Sequence, residues 1–148
     1  MGSKLSALES LILQSTRDRL SSVVASLWDK QIATINKVQR LPEGVEVNFY
    51  RKKTGHPSFD SQIAFANDAE ELLVATVKIT VPEISDQLTA RVWSVRGFLF
   101  SIEYKGSVNY FTEAAAMEEP PTFQVDCELE ADLSQTQERR SFGLQGQP

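Results

Sequence analysis

Residues 71–82 read ELLVATVKITVP, and across them the apolar period is two: Leu73, Ala75, Val77, Ile79 and Val81 take one face, Val74, Thr76, Lys78 and Thr80 the other. Such alternation marks a half-buried antiparallel strand. Outward from it, EISDQ is a short connection and LTARVWSV a second strand; Arg96-Gly97 then offers a turn or bulge into FLFSIEYK. Lys105-Gly106-Ser107 next turns the chain into VNYF. FQVDCELEADL alternates again, with Phe123, Val125, Cys127, Leu129 and Ala131 inward and Gln124, Asp126, Glu128, Glu130 and Asp132 outward. The expected sheet is a meander of four or five strands.

The N-terminal third carries a different period. Ser6 and Glu9 have the form of a capping box, and Leu5, Leu8 and Ile12 share a helical face. After the polar break QSTRDR, a second set (Leu20, Val24, Leu27, Trp28, Ile32, Ile35, Val38) recurs at helical spacing, with Thr16, Asp18 and Arg19 as a fresh start. Two helices are preferred to one rod of about 35 residues, and Leu41-Pro42 ends the run because proline disfavours helix in the residue before it. The fold class is therefore α+β, N-terminal helices packed on one antiparallel β-meander sheet. Residues 1–133 read as a single domain. Residues 134–148, SQTQERRSFGLQGQP, have no apolar period and read as a disordered tail.

A chain of 148 residues, 41% hydrophobic, has material for one core. Its one cysteine rules out an internal disulfide and fits a reducing compartment. The first residues have no signal-peptide pattern and no stretch has the length of a membrane span, so a cytoplasmic protein is expected. The net charge of -5 weighs against nucleic acid as a partner, since phosphate contacts need basic surface. Acidity is also segregated: Gly106 to Glu138 holds Glu113, Glu118, Glu119, Asp126, Glu128, Glu130, Asp132 and Glu138 and no Lys or Arg.

Chemical motifs are sparse. FYRKKTGHPSFD, Phe49 to Asp60, holds the only histidine and three consecutive basic residues. His56 lies in a turn, and Ser58 and Asp60 in the same loop lack the separate rigid elements that align a catalytic triad. Arg51, Lys52 and Lys53 have no glycine-rich cradle for a phosphate. Cys127, at an inward strand position, reads as a buried small hydrophobe. No catalytic residue, metal ligand or cofactor is expected. The acidic stripe Asp126, Glu128, Glu130 and Asp132 reads either as a solubilising edge or as a docking stripe for a basic partner; carboxylates about 6.8 Å apart along a strand are too widely spaced to share one calcium ion. Trp93 and Arg91 share a strand face as cover or anchor. Phe98, Phe100, Ile102 and Tyr104 are expected in the core, and Trp28 against the sheet.

LPEGVEVNFYRKKTG, Leu41 to Gly55, following a helix, resembles the Leu-Pro, aromatic, Asn-Gly signature of the SUKH superfamily, although Thr54 stands where that pattern has Asn. The resemblance spans about fifteen residues and implies protein–protein recognition, as in immunity proteins, without catalysis. It would make residues 45–53 a helix, whereas alternation of Val45, Val47 and Phe49 favours a strand. The functional expectation is a non-enzymatic protein-binding module using Asp126, Glu128, Glu130, Asp132, Trp93 and Arg91. The alternatives are a carrier of small apolar ligands between helices and sheet and, last, an enzyme using His56 and Asp60. A homodimer through sheet edges is left open.

Overall fold

The computed structural model describes residues 5–106 and 108–136. Helix α1 (Ala7–Arg17) opens on the expected capping box: Ser6 Oγ accepts from the Glu9 amide at 3.1 Å, and Glu9 Oε1 accepts from the Ser6 amide at 2.8 Å. Helix α2 (Ser22–Thr34) starts later than expected, with Ser21 as its N-cap. Thr16 instead belongs to the last turn of α1, where its hydroxyl donates to the Ile12 carbonyl. α2 also ends earlier. The Asn36 side chain bonds both the amide and the carbonyl of Lys52, which pulls the chain into β1 (Lys37–Arg40), so Val38 lies in a strand.

After β1 come β2 (Glu46–Tyr50), a two-residue pair β3 (Lys52–Lys53) and β4 (His56–Pro57), then β5 (Leu72–Thr80), β6 (Leu88–Val95), β7 (Phe98–Lys105) and β8 (Gln124–Leu129). Residues 46–50 are thus strand, not helix. The main sheet has six strands in the order β1-β2-β7-β6-β5-β8, every pair antiparallel. Only β5, β6 and β7 form a meander: β2 returns to flank β7, and the chain crosses from β7 to the far edge before β8. VNYF, expected after a turn in that meander, opens a third helix, α3 (Val108–Ala115). The run EAAAM is made of strong helix formers, and Phe111 and Ala114 are the buried positions of the helix. Gly106, at φ 120°, makes the exit from β7; a Cβ there would meet the Gln87 carbonyl at 2.6 Å.

α1 lies against β5 and β8, α2 against β7, and α3 against α1. Between these layers Trp28, Phe49, Phe111, Leu8, Ile12, Leu99 and Ile102 are at most 1% exposed. Each side chain of this size contributes about 1.5–3 kcal/mol by leaving water. Gln31, fully buried on α2, locks the β6–β7 hairpin to the helix: its Oε1 accepts from the Leu99 amide at 2.8 Å, and its Nε2 donates to the carbonyls of Ile63 at 2.7 Å and Gly97 at 3.0 Å. That hairpin turns on Arg96 (φ 52°) and Gly97 (φ 91°), the left-handed pair a two-residue loop requires. The expected tail lies outside the described residues from position 137 onward. Among the described residues no helix is long and apolar enough to cross a membrane.

Two bulges break the alternation. On β5 the register passes from Leu73↔Trp93 to Ala75↔Val92, leaving Val74 as the extra residue. On β7 it passes from Ser101↔Trp93 to Leu99↔Ser94, leaving Phe100 extra. Each extra residue switches the side of the positions before it. Leu73, expected inward, faces outward with Trp93 while Val74 is buried; Leu99 takes the core position and Phe100, expected there, is half-buried on the outer side. Phe98 is buried, as expected, at the hairpin end, against the Phe59 ring and with the Arg51 guanidinium over its face.

Candidate uncovered sheet face

The sheet face turned away from the helices has no layer of described residues over it. One rung of it runs through Glu128, Thr76, Arg91, Glu103 and Glu46, each register-paired with the next across β8, β5, β6, β7 and β2. The neighbouring rung runs Leu73, Trp93, Ser101, Asn48, Gln39. Trp93 stands on the central strand with a bulge on either side. The local kink opens a hollow of about 240 Å³ lined by Trp93, Val95, Phe100, Ser101, Glu46, Glu71 and Glu103. Phe100 is held in its wall by an edge contact with Tyr50, ring centroids 5.5 Å apart.

Charge around this hollow is unbalanced. Glu103 accepts from the Trp93 indole N–H at 3.2 Å and lies 3.7 Å from Arg91. Glu46 sits directly opposite Glu103 in the ladder, and like charges in that relation repel. Glu46 and Glu71 have no side-chain partner among the described residues. Asn48, one position along the same face, is 8% exposed, and its buried Oδ1 has no hydrogen-bond partner.

The expected residues divide over this geometry. Arg91 and Trp93 share the outer face, as alternation implied, with Arg91 exposed and Trp93 half-buried. Asp126, Glu128 and Glu130 are exposed along the β8 edge: Asp126 opposes Lys78, Glu128 opposes Thr76, and Glu130 accepts from the Thr76 hydroxyl at 2.8 Å. Asp132 departs from them, because β8 ends at Leu129 and the Asp132 carboxylate is engaged by the Ser134 hydroxyl and amide, which hold it below the usual carboxylate range. Glu46, Glu71, Glu103 and Asn48 were not anticipated. The outward phase of Glu103 was readable from FLFSIEYK; its pairing with Glu46 depends on a contact 57 positions away along the chain.

His56 and Asp60 are not brought together: His56 is exposed in the β3–β4 pair, and the Asp60 carboxylate caps the Gln62 amide at 2.9 Å. Arg51 is 6% exposed and bonds Thr34 Oγ1 at 3.0 Å and the Leu99 carbonyl at 2.8 Å; desolvation lowers its pKa to about 10. It is a strut between the end of α2 and β7, where the negative helix terminus offsets its charge. Lys52 is pushed down by neighbouring Lys37. Cys127 is buried, which raises its thiol pKa, and its carbonyl accepts from Arg19 at 2.8 Å. No group of three His, Cys, Asp or Glu among the described residues could hold a metal ion. Compared with protein-family models, with curated proteins and with solved structures, the chain matches none.

Proposed function

We propose that this chain is a non-enzymatic protein-binding module that uses the uncovered face of its sheet, with Trp93 at the centre and a basic surface as its partner. The observation that carries this reading is the pair of bulges flanking Trp93, since bulges re-aim side chains where a sheet makes contact. Glu46, Glu71 and Glu103 line the hollow beside that aromatic, and Glu128 and Glu130 lie on the β8 edge, so acids outnumber Arg91 and Lys78 on this face; such an excess sets encounter rate and partner choice. The resemblance of Leu41–Gly55 to the SUKH signature also implies protein recognition, though the strand at 46–50 is not the helix it implies. Separation of His56 from Asp60 argues against catalysis. Burial of Trp28, Phe49 and Phe111 between helices and sheet supports this reading over an apolar-ligand carrier. A buried thiol suits a reducing compartment such as cytoplasm.

Photo-crosslinking tests the reading. A benzophenone amino acid replacing Trp93, or replacing Val23, which is 72% exposed on α2, is activated in cells of the source organism. Discrete protein adducts are expected from position 93 and not from position 23, and they should fade when Glu128 and Glu130 become Lys. Identical adduct patterns from both positions, or none from 93, would sink the proposal.

A further inference from the structure

We infer that the hollow beside Trp93 is a receptor for a single arginine side chain on the partner. The inference rests on the protein-binding reading and makes it specific. The charged groups lining the hollow are all carboxylates: Glu46 and Glu71, which have no side-chain partner among the described residues, and Glu103, whose Oε1 is shared by Trp93 and Arg91. An occupant that meets these carboxylates must bring donors. It must also carry positive charge, because Glu46 and Glu103 face each other across the β2–β7 ladder with only Arg91, on the far side of Glu103, as counter-charge. The partly apolar hollow and the opposed carboxylates are independent observations, one of shape and the other of charge.

The remaining walls select among cations. Trp93, Val95 and Phe100 present apolar surface that suits a methylene stem and a flat charged group laid on an indole. About 240 Å³ is the space of roughly eight waters, enough for one long side chain and too little for a helix. An ammonium is a compact, strongly hydrated point charge with three donors. A guanidinium is planar and weakly hydrated, with five donors in a fixed fork, so it can serve carboxylates on two sides while stacking. Arginine is also among the residues that most often anchor interfaces from such a central pocket.

The test titrates the ¹⁵N-labelled protein with the capped peptide acetyl-Gly-Arg-Gly-amide and follows the Trp93 indole N–H, which the Glu103 bond makes a direct reporter. Saturable shifts are expected with Kd on the order of 1–10 mM. The lysine analogue should bind at least about fivefold more weakly and the neutral citrulline analogue not at all. Glu46→Gln combined with Glu71→Gln, both substitutions at surface positions, should weaken binding about tenfold. Equal shifts from the citrulline peptide, no saturation by about 20 mM, or unchanged affinity in the double variant would overturn the assignment. If crosslinks from position 93 persist in that event, only the arginine assignment falls; if they too are absent, the binding reading falls with it.

Discussion

Glu46→Lys should make the protein more stable while removing its capacity for a cationic partner. Glu46 and Glu103 are a direct register pair. Cross-strand charge pairs are worth about 0.2–1 kcal/mol, with like pairs unfavourable by similar amounts. The Glu103 side chain is 48% exposed, so solvent screening places both effects in the lower half of that range. Removing the repulsion and adding an attraction at about 0.4 kcal/mol each gives roughly 0.8 kcal/mol. For a domain of this size that raises Tm by about 3 °C. Glu46→Gln, which removes the repulsion alone, should give about half. The assay is thermal unfolding by circular dichroism in 20 mM and 1 M salt, since a Debye length of about 3 Å at 1 M should erase most of the gain. A lowered Tm in Glu46→Lys, equal gains from Lys and Gln, or a gain unaffected by salt would refute the reasoning. In parallel, the variant should no longer shift with the arginine peptide, so that stability rises as binding disappears.

Gln31→Leu should cost about 3 kcal/mol, measured by urea unfolding, because it strands the buried Leu99 amide and takes the donor from the Ile63 carbonyl, while the Gly97 carbonyl keeps the Phe65 amide; a loss below about 1 kcal/mol would show that the clamp is dispensable. Glu9→Ala should cost about 2 kcal/mol, since the carboxylate both closes the capping box and receives Arg40 through two bonds of 2.8 and 2.9 Å; Glu9→Gln should recover part of that loss. Tyr104 makes stability depend on alkaline pH. Burial raises its phenol pKa, so the folded state keeps a proton that the unfolded state loses near pH 10; the contribution is complete below about pH 10 and declines as pH rises beyond it. The unfolding midpoint should fall more steeply above pH 10 in the parent than in Tyr104→Phe, and parallel curves would exclude Tyr104 as the source.

The parts of this fold legible in the sequence are those set by local period and local capping. Ser6 with Glu9, the alternation from Val125 to Leu129, and the Arg96-Gly97 turn carry their structure within a few residues. Legibility ends where a distant contact overrides a period. Ile35 and Val38 continue the helical spacing of α2, yet Asn36 binds Lys52 and turns residues 37–40 into a strand. Val74 and Phe100 look like ordinary members of alternating runs, because nothing in either run marks the residue that a partner strand will leave unpaired. The same holds for the site. Trp93 and Arg91 were visible as an outward pair, and the acids of β8 as a stripe, but the hollow joins Glu46, Glu71 and Glu103 from three separate stretches that only the sheet order brings together.

That order also bears on how the chain assembles. β5, β6 and β7 are consecutive and joined by short connections, so they can pair early at small loop-closure cost, whereas β2 reaches β7, and β8 reaches β5, across about fifty residues. On a three-stranded sheet paired in that order, Trp93 would stand exposed before Glu46 arrives to close the rim beside it. Recognition then becomes a report on completion: a chain stalled with β1 and β2 undocked would carry the aromatic and lack Glu46, and would be held less tightly by a partner that needs all three carboxylates.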